Sequence, residues 1–188
     1  IIDLGTVLCD HAELEIAQAE LAHQVERSLN SDMKPIVLGG GHEVAFGSFS
    51  GLFQYIQNNH LNKKIGIINF DAHFDLREAE QVTSGTPFLN AAKLSEQFHQ
   101  EFNYMCIGVA KHSNTKILFD TAERLNCNYI YDYELKLQNV ENLILRINNF
   151  IKKVDYLYIT VDLDVFNASI APGVSAPAVK GIDLSIFD

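Results

Sequence analysis

Apolar positions along the chain change period several times, and each change marks an element. Leu14, Ala17, Leu21, Val25 and Leu29 recur at helical intervals, behind Asp10 and Glu13 at the three-residue spacing of a capping box. A short apolar run, Pro35-Ile36-Val37-Leu38, then reads as a strand that ends in Gly39-Gly40-Gly41. Glu43 to Asn58 reads as a helix despite two internal glycines, Gly47 and Gly51. Ile65 to Phe70 is a continuous apolar run, the pattern of a strand buried on both faces. Residues 71–88 read as loop. Helices follow over Phe88–Gln97, Thr115–Leu125 and Asn139–Lys152, and strands over Tyr104–Val109, Tyr129–Tyr131 and Tyr156–Val161. A loop holding Pro, Gly and Ser runs from Phe166 to Gly181.

Strands that alternate with helices imply crossover connections and a mainly parallel sheet covered on both sides, an α/β fold. In such sheets ligands bind beyond the carboxyl ends of the strands. The polar residues collect there. His42 follows the three glycines, Asp71, His73 and Asp75 follow the strand ending at Phe70, and Asp162 and Asp164 follow the strand ending at Val161. Alternate residues of extended backbone share a face, so Asp71, His73 and Asp75 converge if strand geometry continues past Phe70; Asp162 and Asp164 do the same. Glycines before His42 allow a tight turn and a close approach.

Four carboxylates in one cleft repel one another by several kcal/mol at protein-like dielectric. Two divalent cations balance them. Oxygen-rich ligands with some imidazole favour Mn²⁺, and Zn²⁺ or Fe²⁺ also suit the ligand types. Two ions about 3.5–4 Å apart can share a water and lower its pKa. His11, His23, His60, His99 and His112 lack such context and read as surface or cap residues. Cys9, Cys106 and Cys127 read as buried apolar residues.

Composition narrows the class. The 188 residues are 47% apolar and 20% charged, which excludes a disordered chain. Three cysteines without a C-x-x-C exclude a disulfide framework or a cysteine-cage zinc site. A net charge of −10 argues against broad nucleic-acid binding. No apolar run approaches the roughly 18–20 residues of a membrane span, and the first residues lack the pattern of a signal peptide. The default reading is a reduced, cytoplasmic protein. It is read as one α/β metallohydrolase domain over residues 1–188, incomplete at both ends, since it begins without Met and stops just after a turn-rich loop.

Gly39-Gly40-Gly41-His42-Glu43, Asp71-Ala72-His73-Phe74-Asp75-Leu76-Arg77 and Thr160-Val161-Asp162-Leu163-Asp164-Val165-Phe166 resemble the metal-binding motifs of the ureohydrolase, or arginase, family, in the same order. The resemblance covers about residues 35–181. It implies a three-layer α/β/α fold and two Mn²⁺ per subunit. One ion would be held by His42, Asp71, Asp75 and Asp162, the other by Asp71, His73, Asp162 and Asp164, with Asp71 and Asp162 bridging. Family members hydrolyse C–N bonds of guanidines or of a formimino group. Arginases and agmatinases commonly read Gly-Gly-Asp-His-Ser in the first motif. Arginases also place an Asn where this chain has Arg77, and a His after the Ser-Gly pair where it has Thr86-Pro87-Phe88. With Ala171–Pro177, these features look most like the branch that cleaves N-formimidoyl-L-glutamate to L-glutamate and formamide in histidine degradation. Many members carry Asp-Pro after the third motif, where this chain has Asn167-Ala168.

The substrate's chemistry gives an independent reason. It is a small dicarboxylate, and an acidic protein must hold it beside aspartates. Arg77 offers a planar bidentate fork. Ser84, with the loop N–H groups of Gly85 and Thr86, is a candidate for the second carboxylate, and Lys111 and Asn114 are further candidates. Asp75 is the candidate catalytic residue, orienting the nucleophile and relaying a proton. Another ureohydrolase, such as an agmatinase or guanidinobutyrase, is the nearest alternative; a non-catalytic metal-binding member and a metallophosphatase are others. Homo-oligomers are common in the resembled family, but no stretch here marks an interface.

Overall fold

The computed structural model describes residues 1–9 and 13–187. The capping position given to Asp10, and His11, lie outside the described residues. Four strands form one parallel sheet in the order β3-β2-β1-β4: β1 (Ile65–Phe70), β2 (Asn103–Val109), β3 (Asn128–Tyr131) and β4 (Tyr156–Val161). The helices are α1 (Leu14–Asn30), α2 (Val44–Asn58), α3 (Pro87–Gln97), α4 (Lys116–Arg124), α5 (Val140–Ile151) and a single turn, α6 (Leu184–Phe187). Crossovers of this length permit the parallel pairing, which a tight turn cannot make.

Alternation along the strands divides the core. Ile65 and Ile67 of β1 with Tyr104 and Cys106 of β2 face Phe49 and Phe53 of α2, Phe88 of α3 and Ala122 of α4. Ile68, Met105 and Ile107 face the other way, onto Leu143 and Phe150 of α5. The stripe 143-147-150-151 on α5 has helical spacing, so the same periodicity that marks the helix also docks it. Pro87 opens α3 at a position where its missing N–H costs nothing. Helices on both faces make this a three-layer α/β/α fold.

Helix α1 lies on α2 rather than on the sheet. Its buried stripe is Gln18, Ala22, Val25 and Ser28, smaller and more polar than the apolar set in the sequence. The two α2 glycines explain this: a Cβ at Gly51 would sit 2.5 Å from the Ala22 carbonyl oxygen. They permit close helix contact instead of breaking the helix.

Three expectations need correction. Residues 35–38 are not a strand; Ile36 and Leu38 are 83% and 93% exposed. A strand needs a ladder partner for its backbone N–H and C=O groups, and among the described residues the segment pairs with none. Nor is the sheet fully covered. Ile159 of β4, on the α5 face beside Ile68, is 56% exposed, and Val161 is 39% exposed. Cys9 is exposed, whereas Cys106 is buried and Cys127 partly so. His60 and His99 follow the C-caps of α2 and α3 with φ of 53° and 55°, the left-handed geometry that closes helices. His23 and His112 are exposed. Among the described residues, no helix is long and apolar enough to cross a membrane.

Candidate metal centre

The carboxyl edge of β1 and β4 gathers all six candidate ligands. Asp71 follows Phe70 directly, its N–H bonded to the Ile107 carbonyl, and is fully buried. Gly108 permits this: with φ of 108° it bulges β2, and a Cβ there would strike Val165 and approach the Asp71 carbonyl to 3.2 Å. After Asp71 the backbone bends at Ala72 and His73 rather than continuing as strand. Asp75 has a left-handed φ of 49°, which Asp tolerates better than most residues. The convergence therefore comes from a folded loop, not from extended alternation.

His42 sits in the turn before α2 and is 6% exposed. Its Nδ1 lies 2.9 Å from Asp75 Oδ2, 3.0 Å from Asp71 Oδ2 and 3.4 Å from Asp162 Oδ2. Its Nε2 is 3.0 Å from the Thr160 hydroxyl, and Phe88 packs edge-on against the ring. His73 Nδ1 lies 3.0 Å from Asp164 Oδ2 and 3.5 Å from Asp71 Oδ1. After β4, a 3₁₀ turn (Leu163–Val165) is capped by Asp162, whose Oδ1 accepts from the Asp164 N–H at 3.0 Å.

Two groups of donor atoms result, His42–Asp71–Asp162 and Asp71–His73–Asp164, each with all atoms within 4.8 Å of one another. Asp71 belongs to both. Asp75 lies outside these groups but hydrogen-bonds the same His42 nitrogen. Asp162 and His73 carry the most exposed side chains of the six, at 25% and 24%, so the cluster opens to solvent on their side.

The electrostatics fit a cation site. Burial alone would lower the His42 pKa, but Asp71 and Asp75 outweigh it and raise it to about 10. The hydrogen bonds to Asp164 and Asp71 raise His73 to about 10. Burial pushes Asp71 up, yet the two histidines hold it below the usual carboxylate range. Asp75 goes the other way, raised to about 7 by burial and by the Asp71 charge. Asp164 rises to about 6 by burial, with Asp71 and Asp162 adding to the rise. Burial, with neighbouring carboxylates, is what raises Asp75 and Asp164, and a bound divalent cation would favour their charged, ligating forms. Oxygen donors with two imidazoles suit Mn²⁺.

The residues considered for substrate divide. Arg77 is exposed and pairs with no carboxylate among the described residues. Its N–H donates to the Gly85 carbonyl at 2.9 Å, and its guanidinium lies against Gly85, where a Cβ would be 3.2 Å from Cζ. Ser84 and Lys111 are exposed. Thr86 is buried, and its hydroxyl and N–H both donate to the Thr83 carbonyl. Asn114 spends its side chain on backbone, accepting from the Phe74 N–H and donating to the Ala72 and Ala110 carbonyls. It braces the loop that carries the ligands.

Two polar neighbours were not singled out in the sequence. Thr160 and Asn69 each stand two residues before a ligand on a strand, so alternation aims them at the same side. A polar residue inside an apolar run was the available signal. Asn69 donates to Asp71 Oδ2 at 3.0 Å.

An α/β/α layer fold with a shared carboxylate–imidazole cluster at the carboxyl edge of a parallel sheet has the form of a metallohydrolase centre. The chain belongs to the arginase family, whose sequence model matches residues 1–187. Among its relatives is the formimidoylglutamase of Vibrio vulnificus strain CMCP6, 48% identical over 190 residues; the match takes in 97% of this chain and 56% of that protein. The chain thus spans little more than half the length of that relative. The crystal structure of formimidoylglutamase from Bacillus subtilis superposes with a TM-score of 0.79 at 25% identity, covering 98% of this chain and 56% of that one. Trypanosoma cruzi formiminoglutamase with Mn²⁺ shares the fold, with a TM-score of 0.82 at 21% identity, covering 98% and 59%.

Proposed function

We propose that the protein bearing this chain hydrolyses N-formimidoyl-L-glutamate to L-glutamate and formamide, with two Mn²⁺ held by His42, Asp71, His73, Asp75, Asp162 and Asp164. The observation that carries the reading is a pair of carboxylate–imidazole groups sharing Asp71, joined by sequence to an Arg77 that pairs with no carboxylate among the described residues. The identity to a formimidoylglutamase supports the substrate.

Bound Mn²⁺ ions would supply the charge that acidifies a water into a nucleophile near neutral pH. The chain's own residues do the rest. Arg77 grips one substrate carboxylate through a bidentate fork and so sets the distance from the acid groups to the formimino carbon. Asp75, 2.9 Å from His42 Nδ1, is placed to take up a proton and to pass it on. Water gives one proton to Asp75 as it adds to the carbon of the protonated formimino group, and the bond from that carbon to the glutamate nitrogen breaks. That nitrogen takes the proton from Asp75 and leaves as an amine, while the carbon keeps the oxygen and its other nitrogen as formamide. Thr160 holds the His42 ring through Nε2, leaving Nδ1 turned to the cluster.

A substrate panel tests the assignment: N-formimidoyl-L-glutamate, agmatine, L-arginine and a phosphate monoester, each with the full-length gene product and Mn²⁺. The expected result is glutamate release from the first alone. Urea from agmatine or arginine would move the protein to the guanidino branch, and phosphate release would overturn C–N hydrolysis. We infer from the acidic composition that the protein has no broad nucleic-acid partner.

A further inference from the structure

Asn69 is the one polar side chain in the β1 run Ile65–Phe70, and it is completely buried. Its strand neighbours Ile67 and Ile68 are aliphatic, and a buried amide there needs a reason. Its hydrogen bonds have a fixed direction. The Tyr104 hydroxyl donates its single proton to the Phe74 carbonyl at 2.9 Å, so only a donor can face the Tyr104 oxygen. That donor is Asn69 Nδ2, at 3.0 Å. The same nitrogen donates to Asp71 Oδ2 at 3.0 Å. The amide cannot flip without setting its oxygen against both acceptors. Its Oδ1 is left buried with no partner, a cost the fold accepts in return for this orientation.

The two oxygens of Asp71 are held by different donors. Oδ1 accepts from the His73 N–H at 2.7 Å and faces His73; Oδ2 accepts from Asn69 and faces His42. Every bond to Oδ1 comes from the ligand loop itself, whereas Oδ2 is tied to the sheet. We propose that Asn69 is a positioning residue that sets the Asp71 carboxylate for the His42 half of the centre, so that its loss weakens one metal ion selectively. This rests on the two-ion reading of the site. Tyr104 is the anchor: wedged between Phe88 and Phe102 in stacked contacts, it holds the amide in place.

The test is Mn²⁺ binding by equilibrium dialysis and electron paramagnetic resonance on the full-length protein, unsubstituted and as Asn69→Leu and Asn69→Asp. The unsubstituted protein should bind two ions with the spectrum of an exchange-coupled pair. Either variant should keep one ion at near-native affinity and bind the other about 10–100-fold more weakly, the usual effect of losing an outer partner of a metal ligand, with an isolated-ion spectrum at one equivalent. Equal weakening of both ions in a variant that keeps the native fold would overturn the proposal, as would two ions bound at native affinity with the coupled spectrum intact. In the unsubstituted protein, the Asn69 side-chain amide resonances should exchange slowly with solvent and shift when diamagnetic Zn²⁺ is added. Resonances that do not move overturn the proposal even if neither variant folds. An unsubstituted protein that binds no metal overturns the two-ion reading itself, and the inference with it.

Discussion

Asp71 Oδ2 lies 3.0 Å from His42 Nδ1, on a side chain that also serves the His73 group. One carboxylate therefore belongs to both halves of the cluster. Asp71→Asn removes the charge common to both and should weaken both ions by more than about 100-fold, beyond what an outer-partner loss produces. Metal content after gel filtration reads this directly. Retention of one tight ion would show that the halves are independent.

Asp75 is a different case. It touches His42 Nδ1 at 2.9 Å yet lies outside both donor groups. Asp75→Asn keeps its size and loses its proton-transfer capacity. Turnover should fall by roughly 10²–10⁴-fold, the usual contribution of a positioned acid or base, with metal retained or only weakened, since one oxygen ligand remains. Near-normal turnover at full metal content would remove Asp75 from the proton path.

The charge state of the metal-free cluster predicts a pH signature. With pKa values raised to about 10, His42 and His73 hold their protons at neutral pH. Ligation needs neutral imidazole, so metal uptake releases about one proton from each. Mixing Mn²⁺ with metal-free protein in weak buffer at pH 7.5 should acidify the solution, and affinity should rise with pH. The same shifts set stability. The two imidazolium groups stabilise the metal-free fold fully below about pH 6.5, and that contribution is lost as pH rises through about 10. The melting temperature of the metal-free protein should therefore fall across this window, and that of the loaded protein should fall less. An unchanged difference between the two would contradict the assignment.

Arg77 supplies the substrate test. Removing one charge-assisted carboxylate contact costs about 1.5–3 kcal/mol, so Arg77→Ala should raise KM for N-formimidoyl-L-glutamate by about 10–100-fold with a smaller change in kcat. Gly85→Ala, whose Cβ would lie 3.2 Å from the Arg77 Cζ, should shift KM in the same direction by less. Steady-state kinetics separates the two parameters, and an unchanged KM in Arg77→Ala would remove the contact.

Much of this was legible before the fold. Apolar runs gave β1, β2 and β4 to within a residue, and five of the six candidate ligands lie just after the ends of β1 and β4; His42 follows no strand and was marked by its glycine-led motif. What was hidden depends on partners. Residues 35–38 have strand composition, but pairing is not encoded in a segment's own residues. The contact between α1 and α2 runs over Gly47 and Gly51, which local propensity counts against a helix. Asn69 was absorbed into an apolar run because its value lies in Asp71 and Tyr104, one of them 35 residues away. The left-handed Asp75 belongs to the folded loop, and sequence alternation gave it an extended geometry instead.

The most direct test of the account is glutamate release from N-formimidoyl-L-glutamate as metal-free, full-length protein is titrated with Mn²⁺. The account predicts no release without metal, a rise that saturates at two ions per chain, and loss of activity on chelation. Release that persists after complete chelation, or none at two bound ions, would contradict it.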